Sequence, residues 1–215
     1  MTMQFNDAEI DALGERLRQG AAPANHAERA MYRIYQRNLT SLRQSLEREL
    51  QDLAPDAEIG SRTKRLETVV AKLQRRPDLA LSQVTDLAGC RIIVSSNAEQ
   101  RAIVSQLLAI YYVQQVDDKS EHPKFGYRAV HLDIRYRGQL MEVQVQTHNQ
   151  HLWQTVSELA AGYDISIKYG GGNPEISRSL QELSELAWRC DLEGTNLPDD
   201  DIDRVRDVIL SAYSG

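Results

Sequence analysis

Two neighbouring segments that alternate apolar and polar residues constrain the fold of this chain most. Residues 127–136 alternate, with one apolar face made by Val130, Leu132, Ile134 and Tyr136, and residues 140–147 repeat the pattern after a tight turn at 137–139. A period of two is typical of strands with one buried face, so the pair predicts a β-hairpin. The second strand turns a polar row to its other side: Glu142, Gln144 and Gln146. A polar row on a strand otherwise suited to a core indicates a functional face of the sheet.

The remaining segments predict an α+β fold, with helices before and after the sheet. The apolar run at 90–94 is typical of a buried strand, and residues 111–116 form the next strand. Residues 55–60, which contain proline and glycine, are expected to form a break. Apolar residues at helical spacing predict seven helices: 6–18, 26–53, 63–76, 99–110, 148–163, 174–189 and 200–213. We therefore expect a mixed central sheet of about five strands flanked by helices.

The composition fits a soluble protein of ordinary size and gives no signal for membranes or secretion. The chain has 215 residues, of which 41 % are hydrophobic, as expected of one domain with helical extensions. It has no apolar run of the roughly 18 residues that a membrane span needs, and its start lacks the layout of a signal peptide. We therefore expect a cytoplasmic protein with no membrane partner, in which Cys90 is a reduced thiol of the core.

A local cationic segment stands out on a chain whose net charge is −6. Residues 61–76 contain one acid, Glu67, and six cations: Arg62, Lys64, Arg65, Lys72, Arg75 and Arg76. On the predicted helix, Arg65, Lys72 and Arg76 share one face, because they lie seven and four positions apart. A solvated charged surface is the simplest interpretation of this segment alone. Its place just before an acid-bearing strand favours a bound polyphosphate.

Two carboxylates lie where they could hold a divalent cation. Asp86 precedes the strand at 90–94, and Glu142 lies on the polar face of the hairpin. Mg²⁺ usually takes one or two protein carboxylates and completes its shell with substrate phosphates, so two acids are sufficient. Each acid taken alone could equally be a turn or surface residue. Together with the cationic segment, the acids predict phosphoryl or pyrophosphoryl transfer between nucleotides.

A loop between the two acids offers groups that suit a nucleotide. Four side chains surround Gly126 within eight residues: Lys124, Tyr127, Arg128 and His131. The glycine permits a close backbone approach, the tyrosine offers a π-face on which a base can stack, and the cations can bind phosphates. An ordinary hairpin loop with an exposed aromatic residue is the alternative. The sequence contains neither G-x-x-x-x-G-K-[ST] nor G-x-G-x-x-G, which argues against a P-loop or Rossmann site.

The order of these motifs resembles the synthetase domain of RelA/SpoT-type alarmone synthetases. The pieces are R-x-K…K…R, D-x-A-G-x-R-I, GYR-x-x-H and E-V-Q-V-x-T, within residues 32–169. The resemblance implies a nucleotidyltransferase-like synthetase fold, with Mg²⁺ as cofactor. It implies transfer of the β,γ-pyrophosphate of ATP to the 3′-hydroxyl of GDP or GTP, which makes (p)ppGpp. The chain is too short for the family's hydrolase domain and regulatory tail, so it is most similar to single-domain small alarmone synthetases.

The resemblance also implies how the chain is organised. We expect one structural domain in three parts: an N-terminal helical segment (1–60) that packs on the core, a nucleotide-binding synthetase core (61–170) and C-terminal helices (171–215). Small relatives often form dimers or tetramers through their terminal helices. We therefore expect the chain to form a homo-oligomer. Its expected small-molecule partners are the substrates ATP and GDP or GTP.

The resemblance assigns roles to individual residues. Asp86 would hold Mg²⁺, and Glu142 would share the metal or act as the base toward the 3′-hydroxyl. Five residues would bind ATP, the first two by sandwiching its adenine and the others by contacting its phosphates: Arg62, Arg91, Lys64, Lys72 and Arg76. Tyr127 would stack on the acceptor base. Four further residues would complete the acceptor side: Lys124, Arg128, His131 and Gln144.

Two departures from the family pattern leave the acceptor open. The loop at 123–127 is one residue shorter than the usual P-K-x-x-G-Y, and Gln146 stands where the family carries an arginine. Toxic small members with a similar FGY loop pyrophosphorylate tRNA 3′ ends or adenine nucleotides, and a toxin would have a small antitoxin partner. The basic residues on the ATP side favour a nucleotide acceptor. An inactive nucleotide-binding regulatory module is the remaining alternative.

Overall fold

Two helices open the part of the chain that the computed structural model describes, residues 6–19 and 26–214. They are α1 (Asp7–Arg18) and α2 (His26–Leu53). Asn6 and Glu9 form a capping box, in which each side chain accepts from the backbone amide of the other, and this fixes where α1 begins. The apolar stripe of α2 is buried, as its helical spacing predicts: Tyr32, Tyr35, Leu39, Leu46 and Leu50.

The sheet has five strands within the described residues, as predicted. They are β1 (Glu58–Thr63), β2 (Ala88–Val94), β3 (Tyr112–Asp118), β4 (Val130–Tyr136) and β5 (Gln139–Thr147). Their spatial order is β1-β2-β5-β4-β3, with β2 and β5 parallel and the other neighbours antiparallel. Helix α3 (Leu66–Arg75) connects β1 to β2, and α4 (Asn97–Ile110) connects β2 to β3. The mixed sheet with flanking helices confirms the α+β prediction.

Strand β1 differs from the expectation of a break at 55–60 followed by a helix from 63. The segment pairs antiparallel with β2, and α3 begins only at Leu66. Its sequence, EIGSRT, lacks a clear alternation, so its extended conformation depends on pairing with β2 more than on local propensity. As a consequence, Arg62 lies on the sheet and not at the start of a helix.

The two faces of the β4–β5 hairpin have different environments. One face packs with α1 and α2 in the larger hydrophobic core through alternate residues: Val130, Leu132, Ile134, Met141, Val143 and Val145. The other face carries polar residues, with Glu142 opposite Asp133 and Gln144 opposite His131. The hairpin is therefore confirmed, and two members of the predicted polar row, Glu142 and Gln144, lie on the face away from that core.

The C-terminal helices form a second hydrophobic core. They are α5 (His148–Tyr163), α6 (Pro174–Glu193) and α7 (Asp199–Tyr213), and a short 3₁₀ turn, Ile165–Tyr169, follows α5. Helix α5 begins where β5 ends, because the Thr147 side chain caps it by accepting from the Gln150 amide. Thr147 and Asn149 both donate to the buried Asp191, at 2.7 and 2.9 Å, which ties α6 to this junction.

The cysteines lie in the protein interior, as expected for Cys90. Cys90 and Cys190 are both free and buried. Burial raises the pKa of Cys90 to about 12, so its thiol stays protonated at neutral pH. Within residues 6–19 and 26–214, no helix is both long enough and apolar enough to cross a membrane.

Gly89 allows β2 and β5 to approach closely at the point where the two predicted acids meet. It pairs with Glu142, and a Cβ at position 89 would lie 2.7 Å from the Glu142 carbonyl oxygen. We expect Gly89→Ala to lower the free energy of unfolding by about 1–3 kcal/mol, the usual cost of overpacking, as measured by urea denaturation. Gly60→Ala is the matched control on β1, where an added Cβ has no heavy atom within 4 Å. Equal losses in both variants would contradict this account.

Candidate active site

The two acids predicted from the sequence meet at one cavity. Parallel pairing of β2 with β5 places Gly89 beside Glu142, and Asp86 lies three residues before that glycine. Asp86 and Glu142 both line a cavity of about 260 Å³, which we call the acid cavity. Two arginines from neighbouring strands also line it: Arg62 and Arg91. Residues that are far apart in sequence are thus brought together by the sheet.

Asp86 is held between two lysines. Lys72 Nζ donates to Asp86 Oδ1 at 2.9 Å, and Lys64 Nζ donates to Asp86 Oδ2. Burial raises the pKa of this carboxyl, but the hydrogen bonds and charges of Lys64 and Lys72 outweigh it and hold the pKa below its ordinary value. Asp86 is therefore ionised at neutral pH. Its pairing stabilises the fold above the ordinary carboxyl range and is lost as the pH falls through the lowered pKa.

A chain of hydrogen bonds joins Glu142 to Tyr127. His131 Nδ1 lies 2.8 Å from Glu142 Oε1, and His131 Nε2 lies 2.8 Å from the Tyr127 hydroxyl. Gln144 Nε2 donates to the other Glu142 oxygen. Since an ionised carboxylate only accepts, His131 Nδ1 carries a proton and donates it to Glu142. Burial raises the pKa of Glu142, but the bond and charge of His131 outweigh it and keep the pKa below its ordinary value.

Asp133 is a third carboxyl group near this site that the sequence interpretation missed. It lies on β4 directly opposite Glu142. Burial raises the pKa of Asp133, and the nearby charge of Glu142 adds to the rise. The sequence signal that points to Asp133 is its place two positions after His131, among the polar positions of β4.

A larger cavity adjoins the acid cavity and contains aromatic side chains. Its volume is about 450 Å³, and Phe125, Tyr127 and Trp153 line it, so we call it the aromatic cavity. Three residues line both cavities: Arg62, Gln144 and Glu158. Three lysines line the aromatic cavity: Lys119, Lys124 and Lys168. Of these, the sequence predicted only Lys124; the other two are brought near by the loop before β4 and by the turn after α5.

Gly126 explains how Tyr127 reaches the wall of the aromatic cavity. Its φ of +86° lies in the left-handed region, and a Cβ there would be 2.7 Å from the Trp153 ring. The Tyr127 and Trp153 rings lie 6.2 Å apart between centroids. Trp153 Nε1 donates to the Leu180 carbonyl at 2.6 Å, which fixes the indole. The loop thus presents the tyrosine ring beside a rigid aromatic neighbour.

Arg128 lies elsewhere than the acceptor-side prediction placed it. Its side chain is 3 % exposed, lines neither cavity and contacts α6, where it donates to Glu185 at 2.7 Å and to Ser184 at 3.2 Å. Its guanidinium carbon also lies 5.0 Å from the Trp188 ring. Arg128 and Tyr127 are neighbours in sequence, so in extended backbone they point to opposite sides. Arg128 therefore anchors the loop to α6.

Arg76 likewise lies outside both cavities. Helix α3 ends at Arg75, and Arg76 has φ −124° and ψ 77° because the following Pro77 disfavours helical backbone before it. Arg76 instead pairs with Asp78 at 3.1 Å on the surface. Its neighbour Arg75 donates to the Tyr169 hydroxyl at 2.8 Å and so connects α3 to the turn after α5.

Gln146 does not face the cavities either. It is fully buried, and its Nε2 donates to the Arg128 carbonyl at 3.2 Å. The polar row of β5 therefore splits, with Glu142 and Gln144 at the cavities and Gln146 packed inside. His151, which the sequence interpretation did not place in the site, lies 3.3 Å from Arg91 through its Nδ1.

The chain is similar to a known family and to several known proteins. The family described as "Region found in RelA / SpoT proteins" matches residues 61–170, which is just over half of the chain. An uncharacterized protein of Mycobacterium tuberculosis is 34 % identical over 134 residues, covering 60 % of this chain and 49 % of that protein. The chain thus spans about half the length of this relative. GTP pyrophosphokinase YjbM of Bacillus subtilis is 29 % identical over 156 residues, covering 66 % and 72 %.

Solved structures of similar proteins share the fold of this chain. Small alarmone synthetase 1 from Bacillus subtilis, bound to its product pppGpp, matches with a TM-score of 0.59 and 26 % identity, covering 74 % of this chain and 93 % of that one. A GTP pyrophosphokinase family protein from Streptococcus pneumoniae has a TM-score of 0.67 at 21 % identity, covering 82 % and 97 %, and supports the fold. The matched region 61–170 contains both acids and the loop that carries Tyr127. The chain belongs to the RelA/SpoT family.

Proposed function

We propose that the protein transfers pyrophosphate from ATP to the 3′-hydroxyl of GDP or GTP, making (p)ppGpp, with Mg²⁺ as its cofactor. The observation that carries the proposal is the convergence of Asp86 and Glu142 on one cavity bordered by cations. Pyrophosphoryl transfer needs alignment and charge neutralisation more than covalent chemistry from the protein. The family, and relatives named GTP pyrophosphokinase and small alarmone synthetase, support the same reaction.

The acid cavity would receive ATP. Arg62 and Arg91 lie on the same face of β1 and β2, and planar guanidinium groups stack well on an aromatic base such as adenine. Lys64 and Lys72 would exchange Asp86 for the phosphates of ATP, because a polyphosphate carries more negative charge than one carboxylate. The lysines would thereby position the donor phosphates next to the two acids.

The two acids fit Mg²⁺. Asp86 and Glu142 supply carboxylate oxygens, and this ion takes the rest of its shell from substrate phosphates and water. Each carboxylate has acceptor capacity beyond the hydrogen bonds it already receives. Residues 6–19 and 26–214 hold no cluster of three or more His, Cys, Asp or Glu side chains suited to a metal, so substrate oxygens are needed to complete the site. The bound ion would neutralise charge on the reacting phosphates.

The aromatic cavity would receive the acceptor. Tyr127 would stack on its base, a contact worth roughly 1–3 kcal/mol, and Lys124 would contact its phosphates. Glu142 would accept the proton of the attacking 3′-hydroxyl, since its lowered pKa keeps it ionised at neutral pH. His131 would hold that carboxylate in place through Nδ1–H, and Gln144 through its amide. Gln144 lines both cavities, so it lies where donor and acceptor meet.

The test is incubation of the purified protein with ATP, Mg²⁺ and GDP or GTP, with products resolved by chromatography and weighed by mass spectrometry. We expect AMP together with a guanosine tetraphosphate or pentaphosphate. Parallel reactions with ADP and with tRNA identify another acceptor if one is used. Nucleotide binding without AMP release in any of these reactions would exclude the enzyme proposal.

The pH profile of turnover tests the role of His131. Its hydrogen bond and charge lower the pKa of Glu142, so His131→Leu should raise that pKa. Because the reaction needs ionised Glu142, the variant should lose activity at a higher pH than the wild type as the pH falls. The profile of kcat measures this, with His122→Leu in the exposed loop as control. An unchanged acid limb in His131→Leu would argue against the coupling.

A further inference from the structure

The aromatic cavity is lined by a buried polar side chain with one polar atom that has no hydrogen-bond partner among the described residues. Gln154, on α5, is 9 % exposed and lines this cavity. Its Nε2 donates to Glu158 Oε1 at 2.9 Å, whereas its Oε1 is buried and has no hydrogen-bond partner among the described residues. Because a carboxylate only accepts hydrogen bonds, Glu158 fixes which end of the amide faces it. The amide oxygen of Gln154 is therefore held as an acceptor that lacks a donor.

Glu158 places a second acceptor next to the first. Gln154 and Glu158 are four positions apart on α5, so they are neighbours on one helical face. The Glu158 side chain is exposed and lines both cavities. A ligand in the aromatic cavity would therefore meet two adjacent acceptors on the same wall.

We propose that Gln154 and Glu158 select the acceptor base and that they favour guanine over adenine. The inference rests on the proposed function, in which the aromatic cavity receives the acceptor. Guanine presents its ring N1–H and its exocyclic amino group side by side, so two donors meet two acceptors. Adenine presents one amino group beside the N1 lone pair, and that lone pair would face an acceptor oxygen. A buried acceptor such as Gln154 Oε1 disfavours a base that leaves it unpaired.

The rest of the cavity strengthens this discrimination. Tyr127 offers a ring surface on which the base can stack, and Trp153, Ile167 and Leu180 add apolar lining. These contacts are available to either purine, so they add affinity without selecting between them. They also exclude water, and a hydrogen bond shielded from water is electrostatically stronger than an exposed one. Gln154 and Glu158 therefore determine which of the two purines binds more tightly.

Calorimetric titration with GDP and ADP tests the proposal directly. We expect the wild type to bind GDP about 10- to 100-fold more tightly than ADP, the range that one buried hydrogen bond commands. Gln154→Leu should remove most of that preference. Gln181→Leu is the matched control, because Gln181 is an exposed glutamine that lines the same cavity from α6. It should keep the preference for GDP.

A second variant separates base selection from a packing role of Gln154. In Glu158→Gln the new amide can donate as well as accept, so Gln154 is no longer held in one orientation. The preference for GDP should then fall although Gln154 is intact. Equal binding of GDP and ADP by the wild type, or a preference unchanged in Gln154→Leu, would overturn the proposal. Selective GDP binding without any turnover would leave base selection standing and remove the proposed reaction instead.

Discussion

Replacing Glu142 by glutamine is expected to lower kcat for pyrophosphate transfer by about 10²–10⁴-fold, the range that general acid–base catalysis supplies. Glutamine matches glutamate in size and can still accept from His131 Nδ1–H, so the hydrogen-bonded geometry around β5 can persist. What it lacks is a basic oxygen that can take the proton of the 3′-hydroxyl. Rates of AMP formation with saturating ATP and GDP measure the loss.

The control for this variant is Glu193→Gln, at the exposed end of α6 and outside both cavities. It should turn over like the wild type. Far-ultraviolet circular dichroism and urea denaturation establish that Glu142→Gln is folded. A folded Glu142→Gln protein that turns over at the wild-type rate would remove Glu142 from the chemistry.

Asp86→Asn is expected to reduce activity in a different way, by weakening the binding of ATP and of Mg²⁺. The change removes a charge that faces Lys64 and Lys72 and, in the proposed reaction, Mg²⁺. We expect kcat/KM for ATP to fall by about 10²–10³-fold, corresponding to the roughly 2.7–4 kcal/mol that one preorganised electrostatic contact contributes. Titrating Mg²⁺ at fixed ATP should show a raised requirement for the ion.

Asp78→Asn provides the matched control for Asp86→Asn. Asp78 also pairs with a cation, Arg76, but on the surface and away from both cavities. It should retain wild-type kcat/KM and the wild-type requirement for Mg²⁺. If Asp86→Asn requires the same Mg²⁺ concentration as this control, Asp86 only pairs with the two lysines. The proposal that Asp86 binds Mg²⁺ would then be wrong.

The sequence predicts the parts of this protein in which a periodic pattern decides the structure. The β4–β5 hairpin follows from alternation, and α2 follows from apolar spacing, because burial of one face stabilises each element regardless of its partners. Strand β1 has no such pattern, and it becomes a strand only because β2 offers it a pairing edge. Propensity alone therefore could not find it.

The candidate site divides in the same way. The motifs around Asp86 and Glu142 indicate a shared site, whereas the direction of an individual side chain depends on local geometry. Arg128 turns to α6 because it alternates with Tyr127, and Arg76 leaves the helix because a proline follows it. Gln154 reaches the aromatic cavity only through the packing of α5, which no motif encodes.

The parallel pairing of β2 with β5 also sets the order in which this protein can acquire its chemistry. The β4–β5 hairpin joins segments that are adjacent in sequence and can form within roughly microseconds. Pairing of β5 with β2 requires closure of a longer loop that contains α4 and β3, so it is expected to be slower. Asp86 arrives with the earlier strand and Glu142 with the later one. During refolding from denaturant, ellipticity should therefore recover ahead of catalysis, since a half-assembled chain holds helices and a hairpin but only separated carboxylates.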